Sequence, residues 1–418
     1  MSKRNVVIVG AGICGLYAAK RLLSSGIGVE IVEARKRTGG RIWTHYTEFQ
    51  RPVELGAEFL HGRPKLSLKM MDEAGESKVK AGGKFLELRD DGVRAPKFES
   101  TDWYRLLNEI KKLDADITFR KFFDDHFSAN THAEFRDSVF RLIEGYDAAA
   151  PDKISAFALR DEWQQDDTQH RIRNYYGSII QHLEKEINKL GGKIFLEHTV
   201  DHITWNEREV NIHTTQKKLQ ANKVLVTVPI SILQQEKIKF TPSIHDYIEA
   251  SRKIGFGDVI KMIFEFKAPF WKTSKAREDL KDFDFVLTDA KVPTWWTQTS
   301  ENSTLLTGWI AGPVVNQLSN ETLYDDAMNS LSYIFKMTRL EIESLLQCYK
   351  IANWRDDLFS LGAYAYATPL SLAARKILTT PVVNRIYFAG EALNENAAMG
   401  TVEAALQSAE AMVRKMIG

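Results

Sequence analysis

At roughly 100–200 residues per domain, a chain of 418 residues has room for two or three domains with ordinary hydrophobic cores. Its 44% hydrophobic and 27% charged content excludes a disordered chain, a collagen-like fibre and a disulfide scaffold. The 56 Lys and Arg balance 55 Asp and Glu to a net charge of +1, so overall charge points to neither nucleic acid nor a membrane surface. Two cysteines, Cys14 and Cys348, fit a reducing compartment. No apolar run approaches the about 20 residues that span a bilayer. The apolar segment after Lys3 and Arg4 is short and glycine-interrupted, without a cleavage pattern, and the C-terminus carries neither a tail anchor nor a peroxisomal tripeptide. A cytoplasmic protein is expected.

In chain order, residues 6–9 form a continuous β-branched run that predicts a parallel strand covered on both faces. Gly10-Ala11-Gly12-Ile13-Cys14-Gly15 turns into a predicted helix ending near Ser25, and a second strand follows over 29–32. Residues 100–190 read as mainly helical. Strands are expected again at 193–196, 210–212, 224–228 and 259–266, the last alternating around Lys261. Pro269, Pro293 and Pro313 punctuate an aromatic, strand-rich stretch. The tail holds a strand over 386–388 entering Gly390, then an alanine-rich helix from about Thr401. Sheet patterns at both ends, with other elements between, imply one discontinuous domain holding another.

A lone G-x-G-x-x-G is a weak signal, but Gly10, Gly12 and Gly15 stand between a strand and a helix, as a dinucleotide site requires. The first glycine turns the chain, the second admits a pyrophosphate at the helix N-terminus, and the third permits close helix–strand packing. Glu33, ending the second strand, is placed to accept ribose hydroxyls. Glu33-Ala34-Arg35 then runs into Thr38-Gly39-Gly40-Arg41, a second glycine turn carrying an arginine. This combination resembles the FAD signature of glutathione-reductase-like flavoproteins rather than that of simple nicotinamide dehydrogenases. Lys36 and Arg37 read as a solvated basic face.

Further segments narrow the resemblance. They are Glu54-Leu55-Gly56-Ala57-Glu58-Phe59-Leu60-His61-Gly62, Lys261-Met262-Ile263-Phe264-Glu265-Phe266, Trp354, Gly362-Ala363-Tyr364, Phe388-Ala389-Gly390-Glu391 and Gly400-Thr401-Val402-Glu403. In this order they resemble the flavin-containing amine oxidase family, which includes monoamine oxidases, polyamine oxidases and lysine-specific histone demethylases. The resemblance implies an α/β fold: a discontinuous Rossmann-like FAD-binding domain (residues 1–75, 193–240 and 375–418) with a mixed sheet-plus-helix substrate domain (76–192 and 241–374) inserted. It also implies that Gly10, Gly12, Cys14, Gly15, Glu33, Ala34, Arg35, Gly40 and Arg41 hold the adenosine and pyrophosphate. Gly56, Ala57, Glu58 and Trp354 would pass near the flavin, Val200 would meet adenine, and Gly390 and Glu391 would reach the ribityl chain. Thr401 and Val402 would open a helix toward the pyrimidine edge, where a positive helix end favours an anion. Lys261 would hold a water against the flavin, Tyr364 would guide the amine by cation–π attraction, and His61 would stand at the entrance. By composition alone, Lys261 amid apolar neighbours needs either a half-exposed strand or a partner for its ammonium.

The departures from the family pattern shape the expected activity. Ala363 stands where monoamine oxidases carry the cysteine that links flavin covalently, so FAD is expected to be non-covalent, and no metal is expected. Thr401 replaces the second aromatic of the monoamine cage, and no arginine follows Gly56-Ala57 to bind an amino-acid carboxylate. No tower-like insertion marks a histone demethylase. The pattern sits closest to polyamine oxidases: a di- or polyamine oxidised to an imine, with dioxygen as acceptor, giving aldehyde, released amine or ammonia, and hydrogen peroxide. Alternatives are a monoamine oxidase-like enzyme, a flavin dehydrogenase or desaturase, and a non-catalytic flavin-bound scaffold. A small amine and dioxygen are the expected partners, without nucleic acid or membrane, for a monomer or homodimer. Asp161, Glu162, Asp166 and Asp167 form an acidic cluster that could meet a polyamine or simply be solvated. Trp163, Trp295, Trp296 and Trp309 could line an apolar tunnel or pack a core.

Overall fold

The computed structural model describes residues 5–81, 83–95, 100–128, 131–166, 168–273, 277–298, 303–394 and 399–418. The fold is mixed α/β. Its parallel sheet is assembled from distant segments, in the order Lys193–Phe195, Gly28–Val32, Asn5–Val9, Lys223–Val226 and Ile386–Phe388. Alternate residues of the first strand feed two cores, as a strand buried on both faces requires. Val6 and Ile8 pack with the helices Ile13–Ser24, Gly177–Lys189 and Val402–Ile417. Val7 and Val9 instead meet Ile203 and Ile212 of a four-stranded sheet, whose outer strands are Lys218–Ala221 and Lys239–Thr241.

A seven-stranded sheet forms the second body, with Val259–Phe266 between Leu346–Asn353 and Leu305–Ala311. All eight residues of Val259–Phe266 are buried, so the half-exposed strand considered for Lys261 is not what forms. Ile260, Met262, Phe264 and Phe266 pack under the helix Leu323–Phe335, while Val259 and Ile263 face Trp309, Trp354 and Tyr364. The helical stretch is present as Thr101–Ile110, Phe119–His126, Ala133–Tyr146, Ala156–Glu162 and Gly177–Lys189. It is interrupted by the strand Gln169–Ile172, which pairs with Phe59–His61 and Lys78–Ala81 and escapes a reading by helical period. Among the described residues no helix is long and apolar enough to cross a membrane.

One capping arrangement ties the chain ends to the site. The helix Lys65–Glu73 has no side-chain cap of its own. Glu403 of the last helix supplies one, accepting from Leu66 N (3.0 Å), Ser67 N (2.8 Å) and Ser67 Oγ (2.9 Å). A carboxylate there satisfies orphan amides and favours the helix dipole.

Candidate active site

A cavity of about 2370 Å³ runs from the glycine loop to the seven-stranded sheet, and nearly every residue singled out above lines it. Of the described residues assigned to the cofactor or the amine, Gly15 alone does not. A Cβ on it would lie 2.1 Å from Gly10 O, so its role is the close contact of helix and loop rather than a place on the cavity wall. Gly12 is the N-cap of Ile13–Ser24 without a side-chain cap, and a Cβ there would meet nothing within 4 Å. The buried Glu33 carboxylate accepts from Ala11 N (2.8 Å) and Arg35 N (2.9 Å), which fixes it at the end of its strand beside that opening. Open space at an uncapped helix N-terminus beside a held carboxylate fits an elongated dinucleotide. Cys14 is buried among apolar groups, and burial pushes its thiol well up, so it serves as neutral wall.

Two arginines depart from expectation. The Arg35 guanidinium turns to Asp357 and to Ser360 Oγ (3.0 Å), while its Nη1 stays 3.9 Å from Glu33 Oε1, the oxygen to which its backbone amide donates. Arg37 is largely withdrawn from solvent: it lies 4.7 Å over Trp43 and donates to Thr38 O and Ile42 O, and burial pulls its pKa down to about 10. Arg41 behaves as the second glycine turn suggested, donating to Ala363 O and Glu391 Oε1, both at 2.7 Å. Glu391 Oε2 in turn accepts from Gly400 N at 3.0 Å, and Thr401 caps the last helix through Ala404 N. Ala34, Gly40, Ala57, Val200, Gly390 and Val402 contribute lining without side-chain polarity. Gly56 is required by packing, since a Cβ would sit 1.9 Å from Arg41 O. Trp354 stands against it, donating to Leu55 O (3.0 Å).

The ammonium of Lys261 has a partner. Nζ lies 2.7 Å from Glu58 Oε2 and 3.1 Å from Gly56 O. Glu58 Oε1 accepts from Arg171 Nε at 2.6 Å and from Trp296 Nε1 and Gln298 Nε2 at 3.3 Å. Burial alone would push the Glu58 carboxyl up; the two cations and their hydrogen bonds overcome it and hold it at about 2.

The far wall is aromatic and acidic. Tyr364 donates to Tyr146 O (2.7 Å), and the Tyr146 hydroxyl meets His61 Nδ1 at 3.1 Å. His61 is open to the cavity yet deep beneath the outer surface, and burial pulls its imidazole down to about 4, so it is neutral near pH 7. Trp309 donates to Gly145 O (2.8 Å), and Trp163 packs against Trp103 with the rings tilted at 49°; both Trp309 and Trp163 are on the cavity wall. Trp295 is not part of any tunnel. As the strand alternates, it points into the opposite core and donates to Val292 O, while Trp296 faces the cavity.

Of the acidic cluster, Asp161 and Asp166 are exposed and lie toward the rim, Asp166 accepting from Thr168 N and Arg63; Asp167 lies outside the described residues. Glu162 instead shares a side-chain hydrogen bond with Asp147, a residue that sequence reasoning missed. Burial pushes Asp147 well up and Glu162 up to about 7, and Asp147's shift is enlarged by its neighbour's charge. Asp147 is the C-cap of Ala133–Tyr146 and Glu162 closes Ala156–Glu162, so two negative helix ends add to the same wall. Both carboxyls act electrostatically on the Tyr364 phenol.

Comparison with known proteins gives the family and fold. The family model for flavin containing amine oxidoreductases matches residues 13–417. Polyamine oxidase 2 of Arabidopsis thaliana is 26% identical, over 94% of this chain and 84% of its own length. Human flavin-containing amine oxidase B is 23% identical, over 100% of this chain and 86% of its own. The chain spans only 28% of the similar lysine-specific histone demethylase 1 homolog 3 of Arabidopsis thaliana. Among solved structures, wild-type putrescine oxidase bound to putrescine superposes with a TM-score of 0.80 at 20% identity over 99% of both chains. Cyclohexylamine oxidase from Brevibacterium oxydans does so at 0.81 and 17%, again over 99% of both.

Proposed function

The chain belongs to the flavin-containing amine oxidoreductase family, and we propose that it binds FAD non-covalently and oxidises di- or polyamines to imines with dioxygen as acceptor. The observation that carries the substrate class is the carboxyl pair Asp147 and Glu162 on the cavity wall beside Tyr364. Two acids at two helix C-termini, with no cation among their electrostatic partners in the described residues, form a site of negative potential suited to an ammonium. An amine with a second nitrogen would keep that end charged there, while its reacting end lies against Tyr364, Trp296 and Trp309. An apolar, aromatic surround favours the neutral amine, whose lone pair is needed when the adjacent carbon gives up hydride. Neutral His61 adds no charge to repel the incoming cation. The flavin, when bound, supplies the hydride-accepting chemistry. This chain's part is to hold it through Glu33, Arg41 and the glycine loop, to orient the amine, and to keep the pocket dry.

Ala363 leaves no thiol beside Tyr364 for a covalent link. Acid precipitation should therefore free FAD into the supernatant, and colour retained wholly by the denatured pellet would contradict the reading. Similarity to a putrescine oxidase and a polyamine oxidase supports the diamine assignment. The decisive test is anaerobic bleaching of bound flavin by single amines. Putrescine or spermidine should bleach it with kcat/KM above that of benzylamine, and a tenfold preference for benzylamine would overturn the assignment.

A further inference from the structure

A buried ammonium is costly unless it is paired and its donors are used. Lys261 is 1% exposed on a strand buried along its whole length. Two of its three N–H groups are engaged by Glu58 Oε2 (2.7 Å) and Gly56 O (3.1 Å), which leaves one for the cavity it lines. Glu58 is itself held by Arg171, Trp296 and Gln298, and Arg171 is braced 4.6 Å over the Phe59 ring. The carboxylate thus takes four side-chain donors from three separate segments of the chain. Among the described residues the other ionisable groups interacting with it are Glu54, held by Thr44 and Tyr176 N, and Tyr175. Burial pushes Glu54 up to about 7, so it adds little opposing charge below that pH.

We infer that Glu58 is a positioning residue: it clamps Lys261 so that one N–H faces the cavity, and with Arg171 it leaves that wall with one net positive charge toward the cofactor's redox ring. This rests on the flavin amine oxidase reading. A core ion pair with no role toward the cofactor would have the same contacts but would not influence its electron affinity. The inferred arrangement does, because reduced flavin carries negative charge that a nearby cation stabilises and a nearby carboxylate destabilises.

The experiment is dye-equilibrated measurement of the bound flavin's midpoint potential in wild type, Glu58→Gln, Lys261→Met and the double variant. Glu58→Gln should raise the potential and Lys261→Met should lower it, while the double variant returns close to wild type. Each single shift should change the ratio of reduced to oxidised flavin at fixed potential by on the order of tenfold or more, as expected for one unit charge within several Å in a partly dry site. Glu58→Asp, which keeps the charge, should stay near wild type. Shifts of the same sign, or none in variants that hold FAD, overturn the inference. If Glu58→Gln does not fold, Lys261→Arg against Lys261→Met decides: the arginine must keep the wild-type potential and the methionine must not. Bleaching of the wild type by amines is scored separately. Its failure would sink the amine oxidase reading, whereas normal bleaching with unmoved potentials sinks only the role of Glu58.

Discussion

Glu58 and the pair Asp147 with Glu162 line the same cavity, yet burial has opposite outcomes at the two places. At Glu58, Lys261 and Arg171 outweigh burial and the carboxyl falls to about 2. At the pair no cation intervenes among the described residues: burial pushes both carboxyls up, Glu162 pushes Asp147 further, and the hydrogen bond from Asp147 only partly offsets burial at Glu162. The first site has its charge complement built into the protein; the second lacks one and is available to a cation from outside. On the proposed reading, that difference separates a wall that acts on the cofactor from a wall that selects the substrate, and it can be attacked from either side.

The largest effect is expected on the compensated side. Lys261→Met keeps the length and apolar stem but removes the charge and three donors. Recolouring of reduced enzyme by oxygenated buffer should slow by roughly 10²–10³-fold, the usual loss for one preorganised charge-stabilising group. Stopped flow separates this from anaerobic bleaching, and rates within about twofold of wild type in both phases would reduce Lys261 to a structural lysine. On the uncompensated side, Asp147→Asn combined with Glu162→Gln should raise KM for putrescine by about 10–100-fold, the worth of charge-assisted hydrogen bonds of roughly 1.5–3 kcal/mol. KM for a monoamine of similar bulk should hardly change. Equal losses for both amines would make the pair structural.

Why one side was readable and the other was not follows from how each is built. The proposed nucleotide end is made of local backbone: Gly10, Gly12, Glu33 and Arg41 carry their geometry in local order, so spacing singled them out as candidates. Lys261 was conspicuous because an ammonium among apolar residues needs a partner, but Glu58 lies 203 residues away in sequence and nothing local named it. Asp147 and Glu162 belong to a helical stretch in which period separates faces but does not say which helix ends converge. Trp295 and Trp296 show the same limit, since adjacent strand residues must diverge and only the packing of the sheet says which one meets the cavity. Arg37 was misread for a related reason: its solvent is displaced by Trp43, a neighbour that the turn alone folds over it.

The pH dependence of affinity sharpens the comparison with a smaller effect. Carboxyls with raised pKa values are protonated at acid pH and bind an ammonium poorly there. KM for putrescine should therefore fall as pH rises from about 6 to 8, through the value of about 7 at Glu162. In the Asp147→Asn, Glu162→Gln variant that slope should flatten toward the one the reacting amine imposes by itself, which a monoamine measures independently. A diamine profile parallel to the monoamine's in wild type would remove the pair from substrate binding.

The smallest expected effect is on stability, and it carries opposite signs at the two sites. A carboxyl raised in the folded state binds its proton more tightly there than in the unfolded chain. Its folded form is therefore favoured at acid pH and loses ground as pH climbs from the ordinary carboxylate value toward the raised one. Asp147 and Glu162 are of this kind. Glu58 is the reverse: its contribution is complete above the ordinary carboxylate range and disappears as pH falls toward about 2. Asp147→Asn removes one member of the destabilising pair, so the melting temperature of the substrate-free protein should rise at pH 8, by on the order of 1–3 °C for a chain of this size. At pH 5, where the pair is already protonated, the same variant should melt with wild type. Glu58→Gln should show the contrary pattern, with a lower melting temperature at pH 8 and a smaller deficit as pH is lowered toward 3. Scanning calorimetry at three pH values measures both. A loss of stability in Asp147→Asn that is equal at pH 5 and pH 8 would mean that its carboxyl is an ordinary hydrogen-bonding acceptor of the fold, and the contrast between the two walls would fail.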